Sequence, residues 1–260
     1  MRIISLVPSL TETLCDLELQ SFLVGRTKFC ISPKSLHHSV PEIGGTKDPD
    51  IEKIVSLKPT HILMNSEENT EIIRKLLREH LKLKDVIFYE SFPKNIYDSI
   101  AMVDDIAQLF NKQDIAAIWK NNVEQLLVQC KNNSTSTSSY AYFIWRDPWM
   151  TAGQNTYIAE MLKLIGFENV IQTGEQMHER YPTIEATDDR LLNAEYLFFS
   201  SEPFPFKQRH MDEFLALNKD LANKKFMLVD GQLLSWYGTR SRQGLEYLLQ
   251  FPLAHKDNAY

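Results

Sequence analysis

Four segments place aromatic and cationic side chains just after apolar runs that read as strands. Trp145-Arg146-Asp147-Pro148-Trp149 follows one such run. Arg180-Tyr181 stands before Pro182. Ser200-Ser201-Glu202-Pro203-Phe204-Pro205-Phe206-Lys207 leaves a second run, and Ser235-Trp236-Tyr237-Gly238-Thr239-Arg240 follows a third. Loops at strand ends are where open α/β sheets bind ligands. Flat aromatics pack on ring systems, and a guanidinium grips a carboxylate or phosphate with two parallel bonds. The chemistry implied is non-covalent capture of a medium-sized, ring-bearing, anionic molecule. Its candidate residues are Trp145, Arg146, Trp149, Tyr181, Phe204, Trp236, Tyr237 and Arg240. The same residues have a structural alternative. A loop Trp can be a lid on its local core, and Arg146, Arg180 and Arg240 could pair with Asp147, Glu202 and similar neighbours.

Covalent chemistry finds less support. No Gly-x-Ser-x-Gly, phosphate-binding Gly-rich loop or dinucleotide fingerprint occurs. Cys30 lies beside Arg26 and Lys28 and could be a thiol of lowered pKa, but it reads better as a residue lining a binding site. Glu67-Glu68 could be an acid–base pair, although a solvated acidic loop is the commoner meaning of such a pair. The expectation is a protein that is not an enzyme. Metal ligation is not expected either. The seven His include no His-x-His, and His37-His38 are adjacent, so on most backbones they point apart. The three cysteines show no Cys-x-x-Cys spacing, which argues against a disulfide framework and a thiolate metal site.

A net charge of −6 argues against a nucleic-acid partner, since phosphate binding needs a basic face. With 260 residues, 43% hydrophobic and 24% charged, the chain has room for two modest lobes. No apolar run is long enough for a membrane span. The sequence as it stands opens in a strand without a recognisable secretory signal, so the expectation is cytoplasmic as written, or periplasmic if the native start lies upstream.

These candidate residues need a scaffold, and the hydrophobic pattern supplies one. Strands are expected at 3–7, 23–25, 61–65, 86–89, 140–145, 195–200 and 226–230. Helices are expected after Ser9 or Thr11, with Ser9 and Glu12 as a capping box, and over 49–57, 70–80, 96–110, 115–130, 156–164 and 241–251. Alternating strand and helix implies parallel pairing. The helix at 115–130 carries apolar residues around much of its girth, as expected of an element buried on several sides. The polar stretch at 131–139 reads as an exposed loop and a domain boundary. The fold class is thus α/β: two Rossmann-like lobes joined by one long backbone helix, with a ligand cleft between them. The expected division is 1–111, 112–132 (the helix) and 133–260.

Several segments resemble the cobalamin and iron-chelate class of substrate-binding proteins of ABC transporters, the helical-backbone periplasmic binding proteins. They are Arg2 through Glu12, Gly44-Gly45-Thr46, Pro49 through Leu63, and Thr151-Ala152-Gly153. The block around Leu57-Lys58-Pro59 is the most specific. The resemblance implies a corrinoid, haem-like or siderophore chelate as ligand, held as cargo with no cofactor required. It implies an ABC permease as partner and a monomeric binding protein. It adds Phe29, Cys30, Thr46 and Glu68 to the ligand-binding candidates and puts Glu52 at a permease-docking position. Glu52 also suits a solvated first-turn role on the helix dipole. The alternatives are a cytoplasmic ligand-binding or sensing protein without a permease, and an enzyme using Cys30 or Glu67/Glu68.

Overall fold

The computed structural model describes residues 1–80, 85–134, 137–174, 176 and 179–251. The chain forms two compact units. The first comprises Met1–Pro93, Tyr97–Lys120 and Tyr237–Arg240; the second comprises Lys94–Ile96, Asn121–Trp236 and residues 241–251.

The first unit is built on strands β1 (Ile3–Ser5), β2 (Leu23–Arg26), β3 (His61–Asn65) and β4 (Ile87–Ser91), all parallel, in the order β2-β1-β3-β4. Strands with near-continuous apolar runs are those of a parallel sheet covered on both faces. Ile4, Leu6, Ile43, Ile54, Ile62, Met64, Ile73 and Leu77 form one core cluster there.

Helix α1 (Pro8–Asp16) follows β1 directly. Its expected capping box does not form. Pro8, whose ring already fixes a helical φ, starts the helix one residue before Ser9, with Val7 as an extended cap. Ser9 and Glu12 therefore fall inside the helix, where both are buried. The short helix α2 (Leu36–Ser39) precedes α3 (Ile51–Ser56), which is opened by Asp50 and not by Pro49. The Asp50 carboxylate accepts the Lys53 backbone N–H at 2.9 Å. Helices α4 (Glu71–His80) and α5 (Ile96–Phe110) match the expected periodicity.

Helix α6 (Gln113–Asn133) carries the chain from the first unit, whose Tyr97–Lys120 segment ends within it, into the second. It is buried along one stripe, Ala116, Val123, Leu127 and Cys130, whereas Ile118 and Val128 are mostly exposed. The expectation of burial around most of its girth is thus corrected. At 100° per residue Ile118 and Val128 turn away from that stripe.

The second unit holds β5 (Ser138–Trp145), β6 (Met150–Ala152), α7 (Tyr157–Lys163), β7 (Phe167–Asn169), β8 (Tyr196–Ser200), α8 (Gln208–Leu217), β9 (Lys225–Val229), α9 (Gly231–Ser235) and α10 (Ser241–Leu249). Its sheet runs β6-β5-β8-β9, with β7 also pairing β5; every pair is parallel except β5 with β6. Ala141, Phe143, Leu197 and Phe199 feed one core cluster. Tyr140 and Phe198 meet Phe167 from the opposite face. The polar loop expected over 131–139 is shorter, because α6 continues to Asn133 and β5 begins at Ser138. Thr135 and Ser136 lie outside the described residues, as do residues 252–260 of the expected C-terminal lobe.

Tyr237 through Arg240, expected with the C-terminal lobe, belong to the first unit. Their polar groups find partners there. Gly238 N–H donates to Ser99 Oγ at 2.7 Å, and Thr239 N–H to Thr13 Oγ1 at 3.2 Å. The Trp119 indole donates to the Thr239 carbonyl at 3.0 Å.

Candidate functional site

Because β5, β8 and β9 are parallel, their C-terminal residues Trp145, Ser200 and Val229 share one edge of the second unit's sheet. The aromatic loops leave from that edge. Trp145 is 41% exposed, and its ring meets Phe204 edge-on at 5.9 Å between centroids. Phe204 is half-buried and continues to Phe206, with centroids 4.8 Å apart.

Trp149 faces the other way. It stacks on Phe206 at 6.0 Å and meets the edge of Phe214 at 4.8 Å, as a lid on the aromatic core. Arg146 is paired. Its guanidinium reaches Glu213 at 2.9 Å and lies over the Trp149 ring at 5.8 Å. Trp145, Arg146, Trp149 and Phe204 thus stand in one cluster, in which Trp145 is the exposed ring while Trp149 and Phe204 are both half-buried against the core.

Trp236 is 8% exposed and donates its indole N–H to Glu202 at 2.6 Å. Gln232 donates to the other Glu202 oxygen at 3.1 Å. Tyr181 sits on a segment that pairs with β6. Thr151 N–H donates to the Pro182 carbonyl at 3.0 Å and Gly153 N–H to that of Arg180 at 2.8 Å. The Arg180 guanidinium lies over the Tyr181 ring.

The first unit receives the remaining candidates. Arg240 donates to the buried Glu12 carboxylate at 2.8 Å. Desolvation raises the Glu12 pKa, against the pull of Arg240, and nearby Asp16 adds to the rise. Tyr237 is buried. Cys30 is fully buried beside Thr11 Oγ1 (3.0 Å) and Thr27 Oγ1 (3.2 Å). Burial pushes its thiol up, which opposes the lowered pKa that a nucleophile would need.

Loops 44–48 and 65–69 meet: Asn69 donates to the Thr46 carbonyl at 2.8 Å, and Thr46 is buried. Much of Glu68 is open to solvent, yet protein crowding its carboxyl raises its pKa, with Lys47 countering. Phe29 is 49% exposed. A Cβ on Gly45 would strike the Asp48 carboxylate and come within 3.4 Å of the Phe29 ring, so Gly45 lets these loops close up. Phe29, Thr46 and Glu68 are therefore neighbours through loop 44–48. Glu52 is exposed in the first turn of α3.

The sequence reading passed over Arg209, His210 and Glu213 of α8, of which His210 is buried against the Phe204 and Phe206 rings and Glu213 pairs with Arg146. Met211, Phe214 and Leu215 at helical spacing were a usable signal for that helix. Among the described residues, no group of three or more His, Cys, Asp or Glu is arranged to hold a metal ion.

The profile of the periplasmic binding protein family matches residues 3–227, and the chain belongs to that family. Among curated proteins it is similar to the high-affinity heme uptake system protein IsdE of Staphylococcus aureus. The two are 25% identical over 196 residues, which cover 74% of this chain and 63% of the relative. The chain thus spans less than two thirds of the length of the curated relatives it matches. Among solved structures it is similar to the periplasmic vitamin B12 binding protein BtuF of Vibrio cholerae, with a TM-score of 0.74 and 21% identity over 96% of this chain and 95% of the other. It is also similar to the periplasmic heme-binding protein RhuT of Roseiflexus sp. RS-1, with a TM-score of 0.77 and 18% identity over 96% of each.

Proposed function

We propose that this chain is the substrate-binding component of an ABC-type uptake system. Its cargo would be a ring-bearing metal chelate or corrinoid of the haem, cobalamin or siderophore class. The observation that carries the reading is the exposed Trp145 ring, backed edge-on by the half-buried Phe204, at the strand-end edge of the second unit. Family membership and the relatives' names supply the ligand class. Stacking, more than charge, is the expected grip, because Arg146 and Arg240 already face carboxylates. Phe29, Thr46 and Glu68 are the first unit's candidate contacts, Tyr181 and Trp236 further ones in the second, and Glu52 the candidate permease contact. The protein acts as a monomer and binds without catalysis, with Cys30 as a packed core thiol.

The test is a titration of the purified protein with haemin, cyanocobalamin and ferrichrome, read by ligand absorbance and Trp quenching. One of them should bind at micromolar concentration or below. Trp145→Ala should weaken that probe by about 1 kcal/mol, roughly fivefold, the size of one aromatic stacking contact. Silence toward all three would refute the chelate reading.

A further inference from the structure

His210 sits beneath the aromatic loop, only 3% exposed, at the third position of α8. Its Nδ1 accepts the backbone N–H of Lys207, the residue that caps the helix, at 3.0 Å. This is the back-bonding half of a capping box, made by an imidazole where Glu or Gln is usual. Its Nε2 faces Arg209 Nε at 3.0 Å. Each ring nitrogen thus faces an N–H donor. A neutral ring can accept from one of them and an imidazolium from neither.

The same ring touches both aromatic pairs. Phe204, which carries Trp145, lies 5.1 Å from it, and Phe206, on which Trp149 stacks, 5.9 Å. Four charged groups bear on it. Arg209 and Glu213 come from its own helix, Lys207 from the segment before it and Arg146 from the loop after β5. Three of the four are cations.

We propose that His210 is the positioning residue of the Trp145–Phe204 surface. Held neutral, it caps α8 and seats Phe204 and Phe206; on protonation it lets go of both, and the surface loses its shape. Burial and the neighbouring Arg209 lower the ring's pKa, with Glu213 opposing. For a His the sign is then fixed. The unfolded chain takes up a proton near pH 6.5, before the folded one does, so stability is present above that pH and is lost as pH falls toward and through the folded pKa.

The link to affinity rests on the ligand reading above; the link to structure does not. In the wild-type protein, nitrogen-resolved NMR should show an unprotonated Nδ1 on His210 at pH 7.5. Near-UV circular dichroism and Trp fluorescence should shift between pH 7.5 and 5.0. His210→Gln keeps an uncharged acceptor at the same position, so it should fold and lack that shift. Whichever of haemin, cyanocobalamin or ferrichrome binds at pH 7.5 should lose at least tenfold in affinity by pH 5.0 in the wild type, and less than twofold in His210→Gln. A protonated Nδ1 at pH 7.5, or an unchanged spectral shift in His210→Gln, overturns the proposal. Spectral results as expected with no probe bound would uphold His210 and sink the ligand reading instead.

Discussion

At the scale of residues, a partner can decide more than a side chain's own chemistry. Arg240 has the type and the loop position of an anion clamp, yet it is spent on Glu12, a carboxylate buried inside α1. Removing one partner of a buried ion pair costs about 3–5 kcal/mol, because the other charge is stranded. Arg240→Ala should therefore lower the thermal midpoint sharply while leaving affinity for a bound ring probe unchanged. Affinity lost without a change in stability would return Arg240 to the binding surface. Arg240 is also what pulls the Glu12 pKa down. Without it the carboxyl titrates still higher, so the folded variant binds a proton that the unfolded chain has released. Stability then falls as pH rises through that window, and the deficit of Arg240→Ala should be larger at pH 7.5 than at pH 4.5. The thiols follow the same logic. Burial pushes Cys15 to about 12 and Cys130 to about 11, and raises Cys30 as well. Native protein should react slowly with a disulfide reagent at pH 8, and all three thiols should react in denaturant. A fast-reacting native thiol would revive a nucleophilic role for Cys30.

At the scale of elements, local signals were readable where they were redundant. The parallel strands announced themselves by apolar runs, and α5 by its period. Trp145 and Phe204 were visible because aromatic residues follow strand ends. Trp149 looked the same as Trp145 in sequence, and only its packing on Phe206 and Phe214 separates the two. Helix α1 misled because Ser9 and Glu12 have capping-box spacing, while the real start is set by Pro8. Strands β6 and β7, three residues each, are too short to show a period. Helix α8 hid behind the Pro-rich stretch 203–205, and with it went Arg209, His210 and Glu213. Cap chemistry at α3 can be checked directly. Asp50→Ala removes the acceptor for Lys53 N–H and should cost about 1 kcal/mol, whereas Asp50→Asn should cost much less. Equal losses in urea unfolding would mean that the cap bond contributes nothing.

At the scale of the whole molecule, sequence order and folding unit part company. The first unit is not a contiguous stretch: residues 237–240 return to it from far along the chain. Their removal would strand the buried Glu12 carboxylate and Ser99 hydroxyl, and it would take from the half-buried Trp119 indole the Thr239 carbonyl it bonds. An unsatisfied buried polar group costs about 1–3 kcal/mol, and more when charged. Three such losses approach the roughly 5–15 kcal/mol that separates a typical folded protein from its unfolded chain. A fragment ending at Lys120 should therefore fail to fold alone, despite holding all four strands of its sheet. In the full chain, amide exchange at α1 and around Ser99 should be among the slowest in the unit. Gly238→Ala probes the same seam from the other side. Gly238 has φ +77, and a Cβ there would collide with Thr13 Oγ1, so the substitution should speed exchange at both places. A stably folded 1–120 fragment with native exchange at Ser99 would show that the returning segment is dispensable.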